Sequence, residues 1–542
     1  MDKKRILMCT EFSELPTGYS VYSKQVLSRL NQYPEFQIAE LACYASVNDA
    51  RISNVPWKVY ANKPISGTPE HEEYKKSPIS EFGEYSYNSV LLNFKPDFVF
   101  DIRDFWMMAF ESNSPFRRFY NWAIMPTVDA EPQNVEWVDT YAQADAVFTY
   151  SEFGRDTLKK QSNDINFINI ASPCASDVFT PVKDKNAHRA SFSIDPSLYI
   201  VGTVMRNQRR KMYPDLFKGF REFLNKTKRN DVFLYCHTSY PDIGWDIPSL
   251  IMEYGLSGKV LFTYKCKKCN KLSADFFSDA LKFCNNCKCF GNMIAGLNNA
   301  ISEEELAQVY NLFDIYVQYA NSEGFGMPQL EAAQCGNVVC SVNYSAMESV
   351  MKNIDGYPIK ISEFYVEAET GCKRAIPDTD DFINLLEFLT SLSKEALKQK
   401  GLRIHQNTKN SYNWDSTAKK WADYFLNTAT KDIRETWLSP PKIIAPAVFN
   451  DKISSPIEQA DYLINHVLCK PEWRGKQVWR RLVKDLTYKS TVDNLGNFYF
   501  NESHASDALK SKPFTFEDAY NSMKAMRDYY NIWETHRQGH LK

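Results

Sequence analysis

The sequence predicts an α/β protein with two doubly wound domains, a cysteine-rich insertion and a mainly helical C-terminal extension. Short apolar runs alternate with helical patterns over residues 1 to about 180, and the alternation resumes after the polar stretch Pro181–Pro196. Such alternation is typical of parallel sheets covered by helices on both faces. The second observation is a pair of Cys-x2-Cys motifs inside the second alternation. The third is the length, because 542 residues are enough for two or three domains.

Short apolar runs supply the predicted strands of both domains. They are Ile6–Cys9, Ile38–Ala45, Phe98–Ile102, Trp122–Pro126, Ala146–Tyr150 and Phe167–Ala171 in the first, and Tyr199–Val204, Val232–Cys236, Val260–Tyr264, Ile315–Tyr319 and Val338–Val342 in the second. Ligands of open parallel sheets bind at the carboxyl ends of the strands. The candidate site residues are therefore those that follow these runs.

The composition predicts a cytoplasmic protein. A net charge of −2 indicates no general preference for nucleic acid or membranes, so such a partner has to rest on local patches. The first apolar run has four residues, too few for a signal-peptide core, and no run approaches the roughly 18 apolar residues of a membrane span. Thirteen cysteines, an odd number, favour a reducing compartment, which would be the host cytoplasm if the protein is viral.

Two carboxylates, Glu323 and Glu331, mark the central stretch of the chain, Asn321–Gly336, and seven residues separate them. The first is followed by a Gly-Phe-Gly turn, made of Gly324, Phe325 and Gly326. A strand that passes through two glycines into a helix leaves unpaired N–H groups at the helix start, which attract phosphate. Acids beside a phosphate should accept hydrogen bonds from hydroxyls, which indicates a sugar phosphate or a sugar nucleotide. The plain alternative is a strand–loop–helix with two surface acids.

This stretch resembles the Glu-x7-Glu signature of retaining, nucleotide-sugar-dependent glycosyltransferases of the GT-B fold, the large family-4-like group. The resemblance covers residues 1 to about 428 and implies two facing Rossmann-like domains with a cleft between them. It also implies that Glu323 contacts hydroxyls of the transferred sugar and that Glu331 binds the ribose of the nucleotide. The expected donor is a nucleotide diphosphate sugar.

Three further loops supply candidates. Gly18 opens a helix after the first strand, and in the resembled family this glycine loop faces the donor phosphates. Arg206 and Lys211 match the spacing of the family's Gly-Arg-x4-Lys pattern and are expected to bind the diphosphate, although Thr-Val-Met replaces the usual residues before the arginine. The family often places a His or an acid after the fourth strand. No His is present there, so Asp129 is the candidate and Glu131 the second choice, with a turn or capping role as the alternative.

Cys266, Cys269, Cys284 and Cys287 form two Cys-x2-Cys knuckles separated by fourteen residues. The spacing resembles that of a zinc ribbon and is one residue short of the usual range. Four thiolates suit tetrahedral zinc and leave no position for water, so a structural Zn²⁺ is expected. Cys289 could substitute for Cys287, and disulfides are the alternative. In the resembled family a loop bordering the donor nucleotide occupies the place of this lysine-rich insertion.

The predicted domain boundaries follow from these elements. The N-terminal Rossmann-like, acceptor-side domain covers 1–180; the nucleotide-sugar-binding domain covers 181–410 with the zinc-ribbon insertion at 265–291; a closing helix at 411–428 returns to the first domain; and a linker and accessory extension cover 429–542. Within the extension, Lys470–Lys489 is rich in Lys and Arg with interleaved aromatic residues. Such a run is usually a solvated helix face, but it also suits a polyanion.

Together these features predict a retaining transfer of a sugar from a nucleotide diphosphate sugar to a hydroxyl, with cations in place of a divalent metal at the diphosphate. The acceptor stays open. One alternative is a hydroxymethylated base in DNA, as in the glucosyl- and arabinosyltransferases of some bacteriophages. A further alternative is a nucleic-acid-binding protein on a glycosyltransferase scaffold. A phosphorylase of the same fold is disfavoured because its pyridoxal-phosphate lysine motif is not found.

Overall fold

The computed structural model describes residues 3–296, 298–488 and 515–541. Its first domain contains a seven-stranded parallel sheet in the order β3-β2-β1-β4-β5-β6-β7. The strands are β1 (Lys4–Glu11), β2 (Phe36–Ser46), β3 (Lys58–Lys63), β4 (Phe98–Asp101), β5 (Asn121–Ile124), β6 (Ala146–Thr149) and β7 (Phe167–Ile170). Strand β1, in the interior of the sheet, is buried from Ile6 to Glu11, as expected for an apolar run covered on both faces.

Six α-helices accompany this sheet. They are α1 (Gly18–Leu30), α2 (Pro69–Tyr74), α3 (Glu84–Phe94), α4 (Phe105–Met108), α5 (Val135–Tyr141) and α6 (Glu152–Gln161). Helix α1 begins after β1, at the carboxyl edge of the sheet, and the Thr17 side chain caps it by accepting from the backbone N–H of Ser20. This edge faces the second domain.

The second domain contains a nine-stranded sheet whose parallel part has the order β10-β9-β8-β14-β15-β16. These strands are β8 (Tyr199–Val204), β9 (Val232–His237), β10 (Val260–Cys266), β14 (Ile315–Gln318), β15 (Val338–Val342) and β16 (Tyr357–Ile359). The cysteine-rich insertion adds β11 (Leu272–Phe276), β12 (Lys282–Cys284) and β13 (Cys289–Ile294). Both β11 and β13 pair antiparallel with β10, so the insertion extends the sheet at its edge.

Nine helices and a hairpin complete this part of the described chain. The helices are α7 (Lys185–Ser191), α8 (Tyr213–Thr227), α9 (Ile247–Glu253), α10 (Glu303–Tyr310), α11 (Met327–Gln334), α12 (Ala346–Ile354), α13 (Thr379–Ser391), α14 (Lys394–Ser411) and α15 (Trp414–Asn427), and the hairpin joins β17 (Ile361–Val366) to β18 (Lys373–Pro377). Ser302 and Glu305 form a capping box at the start of α10.

Helix α15 packs against the first domain. The ring of Trp421 stacks on Phe148 with centroids 3.9 Å apart, and its Nε1–H donates to the hydroxyl of Tyr22 at 2.8 Å. The apolar face of α15, which follows the second domain in the chain, therefore packs back on the first domain.

The extension contains α16 (Pro456–Tyr462), α17 (Gln477–Tyr488) and α18 (Phe516–Gln538). They share a small apolar core, to which they contribute Ala460, Leu482 and Met523 respectively. Helix α18 also contacts the first domain, because Trp533 meets Phe116 edge to face. The part of the basic run at Lys489 lies outside the described residues.

The prediction of two parallel-sheet α/β domains with a mainly helical extension is confirmed. The observed sheets add β3, β16, the insertion strands β11 to β13 and the β17–β18 hairpin to the predicted strands. None of the helices in the described ranges has the length and apolar content needed to cross a lipid bilayer.

Candidate active site

The start of helix α11 faces the cleft between the domains. Gly326 precedes the helix with a positive φ of 83°, a conformation that favours glycine, and no side chain caps the first turn. The side-chain amide of Gln329 donates to the backbone carbonyl of Phe325 at 2.8 Å. The Phe325 ring is buried against Tyr412. Pro328 has no N–H, and the backbone N–H of Gln329 donates to the carbonyl of Gly326 at 3.1 Å, so the N–H groups that could meet a phosphate are those that precede Pro328.

Glu323 occupies the centre of the site. Its carboxylate forms ion pairs with Lys211 and with Arg210, and it accepts a hydrogen bond from Nε2 of Gln318 at 2.7 Å. Its backbone N–H donates to Oγ of Ser345 at 2.9 Å. Only 5% of Glu323 is exposed. Charge-assisted hydrogen bonds in a buried place hold the carboxylate in one position.

Two backbone hydrogen bonds join the basic loop to the Glu323 loop. The N–H of Asn321 donates to the carbonyl of Arg210 at 3.0 Å, and the N–H of Met212 donates to the carbonyl of Tyr319 at 3.2 Å. The cations after β8 are therefore placed beside the acid after β14 by the backbone itself.

The two predicted cations, Arg206 and Lys211, have different partners in the structure. Lys211 reaches Glu323, whereas the guanidinium of Arg206 forms two hydrogen bonds with Asp242, at 3.0 and 3.1 Å. Arg206 holds the pKa of that aspartate down, at about 2. Arg210, which the spacing argument did not select, takes the second position at Glu323. In the sequence Arg210 is one of four cations in the stretch Arg206–Lys211, and that basic run is the signal that could have indicated it.

The first domain meets the Glu323 loop through Thr127. A Cβ atom placed on Gly324 would lie 2.4 Å from Cγ2 of Thr127. The Thr127 hydroxyl is 2.9 Å from that of Tyr19, which donates to Asp104 at 2.9 Å. Burial raises the pKa of Asp104 to about 6. The predicted Gly18 begins α1 beside Tyr19, and a Cβ there would meet nothing within 4 Å.

Asp129 bridges the two domains. Its carboxylate accepts a hydrogen bond at 2.7 Å from Nη1 of Arg374, which lies on the hairpin strand β18. The same guanidinium also binds Glu367 through Nε and Nη2. Glu131, the second choice, has its carboxylate 3.4 Å from Lys160, away from these groups. Asp129 therefore lies at the cleft as part of an interdomain ion pair.

Glu331 lies on α11, the helix that follows the Glu323 loop. Its Oε2 accepts a hydrogen bond from the Tyr310 hydroxyl at 2.7 Å. Burial raises its pKa to about 7, and the Tyr310 bond opposes that rise. The second carboxylate of the motif is thus close to its titration point at neutral pH.

The sulfur atoms of Cys266, Cys269, Cys284 and Cys287 all lie within 4.8 Å of one another. The separations are 3.6 Å between Cys266 and Cys287 and 3.7 Å between Cys269 and Cys284. A tetrahedral site with Zn–S bonds of about 2.3 Å has sulfurs about 3.8 Å apart, so this set fits zinc. A Cβ on Gly291 would lie 3.1 Å from the Cys266 sulfur, so the glycine leaves room for the cluster.

One segment of the chain matches a known family. Residues 297–364, which carry both Glu323 and Glu331, match the model described as "Glycosyl transferases group 1". A comparison with the curated proteins finds no match.

Solved structures with the same two-domain fold cover most of the chain. Sucrose-phosphate synthase from Thermosynechococcus elongatus is 15% identical with a TM-score of 0.56, over 78% of this chain and 98% of the other. Anabaena HepE, in complex with UDP and glucose, is 11% identical with a TM-score of 0.53, over 78% and 100%. An E. coli protein described as trehalose-6-phosphate, bound with UDP-2-fluoro glucose, is 11% identical with a TM-score of 0.52, over 79% and 100%.

These likenesses establish the GT-B fold. The family match falls on the segment that contains both acids of the motif. Segment and fold agree on one class of enzyme, a glycosyltransferase.

Proposed function

We propose that the enzyme transfers a glycosyl group from a nucleotide diphosphate sugar to a hydroxyl acceptor, with retention at the anomeric carbon. The observation that carries this proposal is the Glu323 carboxylate, held by Lys211 and Arg210 beside an uncapped helix start. Such a place combines fixed positive charge for a diphosphate with a fixed acceptor for sugar hydroxyls. Three donors already bind the carboxylate, which suits an orienting role better than that of a nucleophile.

In the proposed reaction, the bond between the anomeric carbon and the diphosphate oxygen breaks, and its electron pair leaves with the diphosphate. The acceptor oxygen forms its bond to carbon on the same face, and its proton passes to a phosphate oxygen of the donor. Lys211, Arg210 and the N–H groups at the start of α11 stabilise the negative charge that develops, so no divalent metal is required there. Arg206 joins them if the diphosphate draws it away from Asp242.

The remaining predicted residues bind parts of the donor and acceptor away from the reacting bond. Glu331 binds the ribose hydroxyls, and the loop of Gly18 faces the phosphates from the first domain. Asp129, fixed by Arg374, orients the acceptor on its side of the cleft. Two structural neighbours are described with UDP or a UDP sugar, which makes uridine diphosphate sugars the first donors to test.

The cysteine cluster is proposed to hold one structural Zn²⁺. Cys266, Cys269, Cys284 and Cys287 would supply four thiolates, and Cys289, whose sulfur is 3.1 Å from that of Cys287, is the alternative fourth ligand. The ion would fix the insertion on β10, in the same sheet as the donor residues. It takes no part in the chemistry because four protein ligands leave no open position.

A hydroxymethylated DNA base is the second candidate acceptor. Two lysines of the insertion are paired, Lys265 with Glu305 and Lys282 with Asp275. Within the described ranges, four others form no ion pair: Lys267, Lys268, Lys271 and Lys288. The rings of Phe283 and Phe290 are 45% and 72% exposed beside them. Cations with exposed aromatic rings suit a nucleic acid strand, and they equally suit a protein that only binds one.

A panel of nucleotide diphosphate sugars tests the proposal. The protein is incubated with each donor in the presence of a chelator, with and without DNA that contains hydroxymethylcytosine, and released nucleoside diphosphate is measured by mass. Release from one donor supports the transferase, and faster release with that DNA supports the second acceptor. If the protein binds DNA but releases no diphosphate from any donor, the proposal that it is a transferase is contradicted. Anomeric configuration of the product, read by NMR, tests retention.

A further inference from the structure

A cavity of about 680 Å³ lies between the C-terminal extension and the first domain. On the first-domain side it is lined by Arg117, which precedes β5, and by Asp145 and Asp164, which precede β6 and β7. These positions are the amino ends of the strands. The cavity is therefore at the edge of the sheet opposite the donor cleft, and its volume is within the range of small-molecule sites.

The lining of this cavity carries an excess of positive charge. Among the described residues that line it, eight are cationic and five are acidic. Two of the acids are already engaged, because Asp145 pairs with Arg117 and Glu534 pairs with Arg537. Among the lining cations, the following have no ion-pair partner in the described part of the chain: Arg118, Lys442, Lys470, Lys476 and Arg480. Like charges gathered around a cavity repel one another unless an anion joins them.

Lys470 is the cation placed deepest in this group. Its ammonium lies 4.6 Å from the ring centres of both Trp473 and Tyr530. Burial lowers its pKa to about 7, and Glu472 only partly opposes that effect. A desolvated lysine that faces a cavity and forms no ion pair within the described residues is stabilised by an incoming anion.

We propose that this cavity binds a phosphate-bearing nucleotide, either free or as one unit of a strand, at a site separate from the donor cleft. Lysine and arginine side chains from two sides would contact the phosphate, as these groups do in phosphate recognition generally. Trp473, which is partly buried in the lining, supplies an aromatic surface for the base. The site depends on the extension, so it adds a ligand to the enzyme beyond its donor and acceptor.

Direct binding to the full-length protein tests this site without any glycosyl transfer. One probe is thymidine triphosphate and the other is a fluorescein-labelled oligodeoxythymidylate of about 12 nucleotides. The exposed pair Lys476→Gln and Arg480→Gln should weaken binding by roughly tenfold or more, because two charge-assisted contacts are removed. Tighter binding of the strand with a steeper salt dependence identifies a strand as the ligand, and equal binding of both probes identifies a free nucleotide.

Two matched variants serve as controls. Lys484→Gln removes one positive charge from α17, the helix that carries Arg480, at a position outside the cavity, and it should leave binding unchanged. Lys211→Gln alters the donor cleft and should leave strand binding unchanged as well. The proposal is overturned if neither probe binds the wild type, if the paired variant binds as tightly as the wild type, or if Lys484→Gln causes the same loss.

Discussion

Gly324 of the second domain lies so close to Thr127 of the first that a single added methyl group would stand 2.4 Å from the threonine Cγ2. The contact lies one residue from Glu323. Thr127 in turn is joined to Tyr19 and Asp104 on the first domain. The proposed donor site would therefore be completed only when the two domains are in contact here.

Gly324→Ala should reduce turnover by about tenfold or more, because displacements of an ångström at a reacting centre are costly. Thr127→Ser removes the Cγ2 methyl and keeps the hydroxyl that faces Tyr19. Combined with Gly324→Ala, it should restore part of the turnover, measured as released nucleoside diphosphate. If the double variant is no better than Gly324→Ala alone, the contact is not the cause of the loss.

Arg210→Gln should lower turnover by about tenfold or more, because Arg210 is one of two cations on Glu323. Arg206→Gln should raise the donor KM if the diphosphate recruits Arg206 from Asp242, and should have little effect if the ion pair persists. Steady-state kinetics of both variants distinguish these roles. A normal turnover for Arg210→Gln contradicts the arrangement at Glu323.

Glu331 should make stability depend on pH. Its pKa is raised from 4.5 to about 7 by burial, so the native state binds a proton that the unfolded chain has released between these values. Stability should therefore fall by on the order of 3 kcal/mol as pH rises through this range and stay level above it. In urea unfolding, Glu331→Gln should show a smaller fall, because the share of Asp104, whose pKa is also raised, remains. Tyr310→Phe removes the bond that lowers the pKa and should move the fall to higher pH.

Elemental analysis of reductively purified protein should show one zinc per chain. Cys269→Ser should lose the metal and loosen the insertion, measured by proteolysis between β10 and α10, because a four-thiolate site contributes folding free energy. Cys289→Ser should keep the metal if Cys287 is the fourth ligand. A wild-type protein without zinc contradicts the cluster's proposed role.

The order of strands and helices could be predicted from the sequence because apolar runs and glycine loops repeat through both domains. Glu323 and Glu331 could be found because their motif is contiguous. The four cysteines could be found for the same reason, and the structure brings their sulfurs together.

The partners of these residues could not be predicted in the same way. Which cation of Arg206–Lys211 faces Glu323 depends on the path of the loop, and two backbone hydrogen bonds between distant segments set that path. Arg374 reaches Asp129 from a hairpin 245 residues further along the chain. Tyr19 follows β1 and Asp104 follows β4, and the two side chains meet because these strands are neighbours in the sheet. These contacts join segments that are distant in the sequence, so local sequence patterns do not predict them.

The most direct test of the central claim compares nucleoside diphosphate release by the wild type and by Glu323→Gln, with the best donor of the panel. Removing a fixed charge at the reacting centre should lower release by about two orders of magnitude. Asp314→Asn is the matched control, because Asp314 is a buried carboxylate paired with Arg189 and Lys394 outside the cleft. Both variants should lose stability, and only Glu323→Gln should lose turnover per folded molecule. Wild-type release by folded Glu323→Gln would contradict the account.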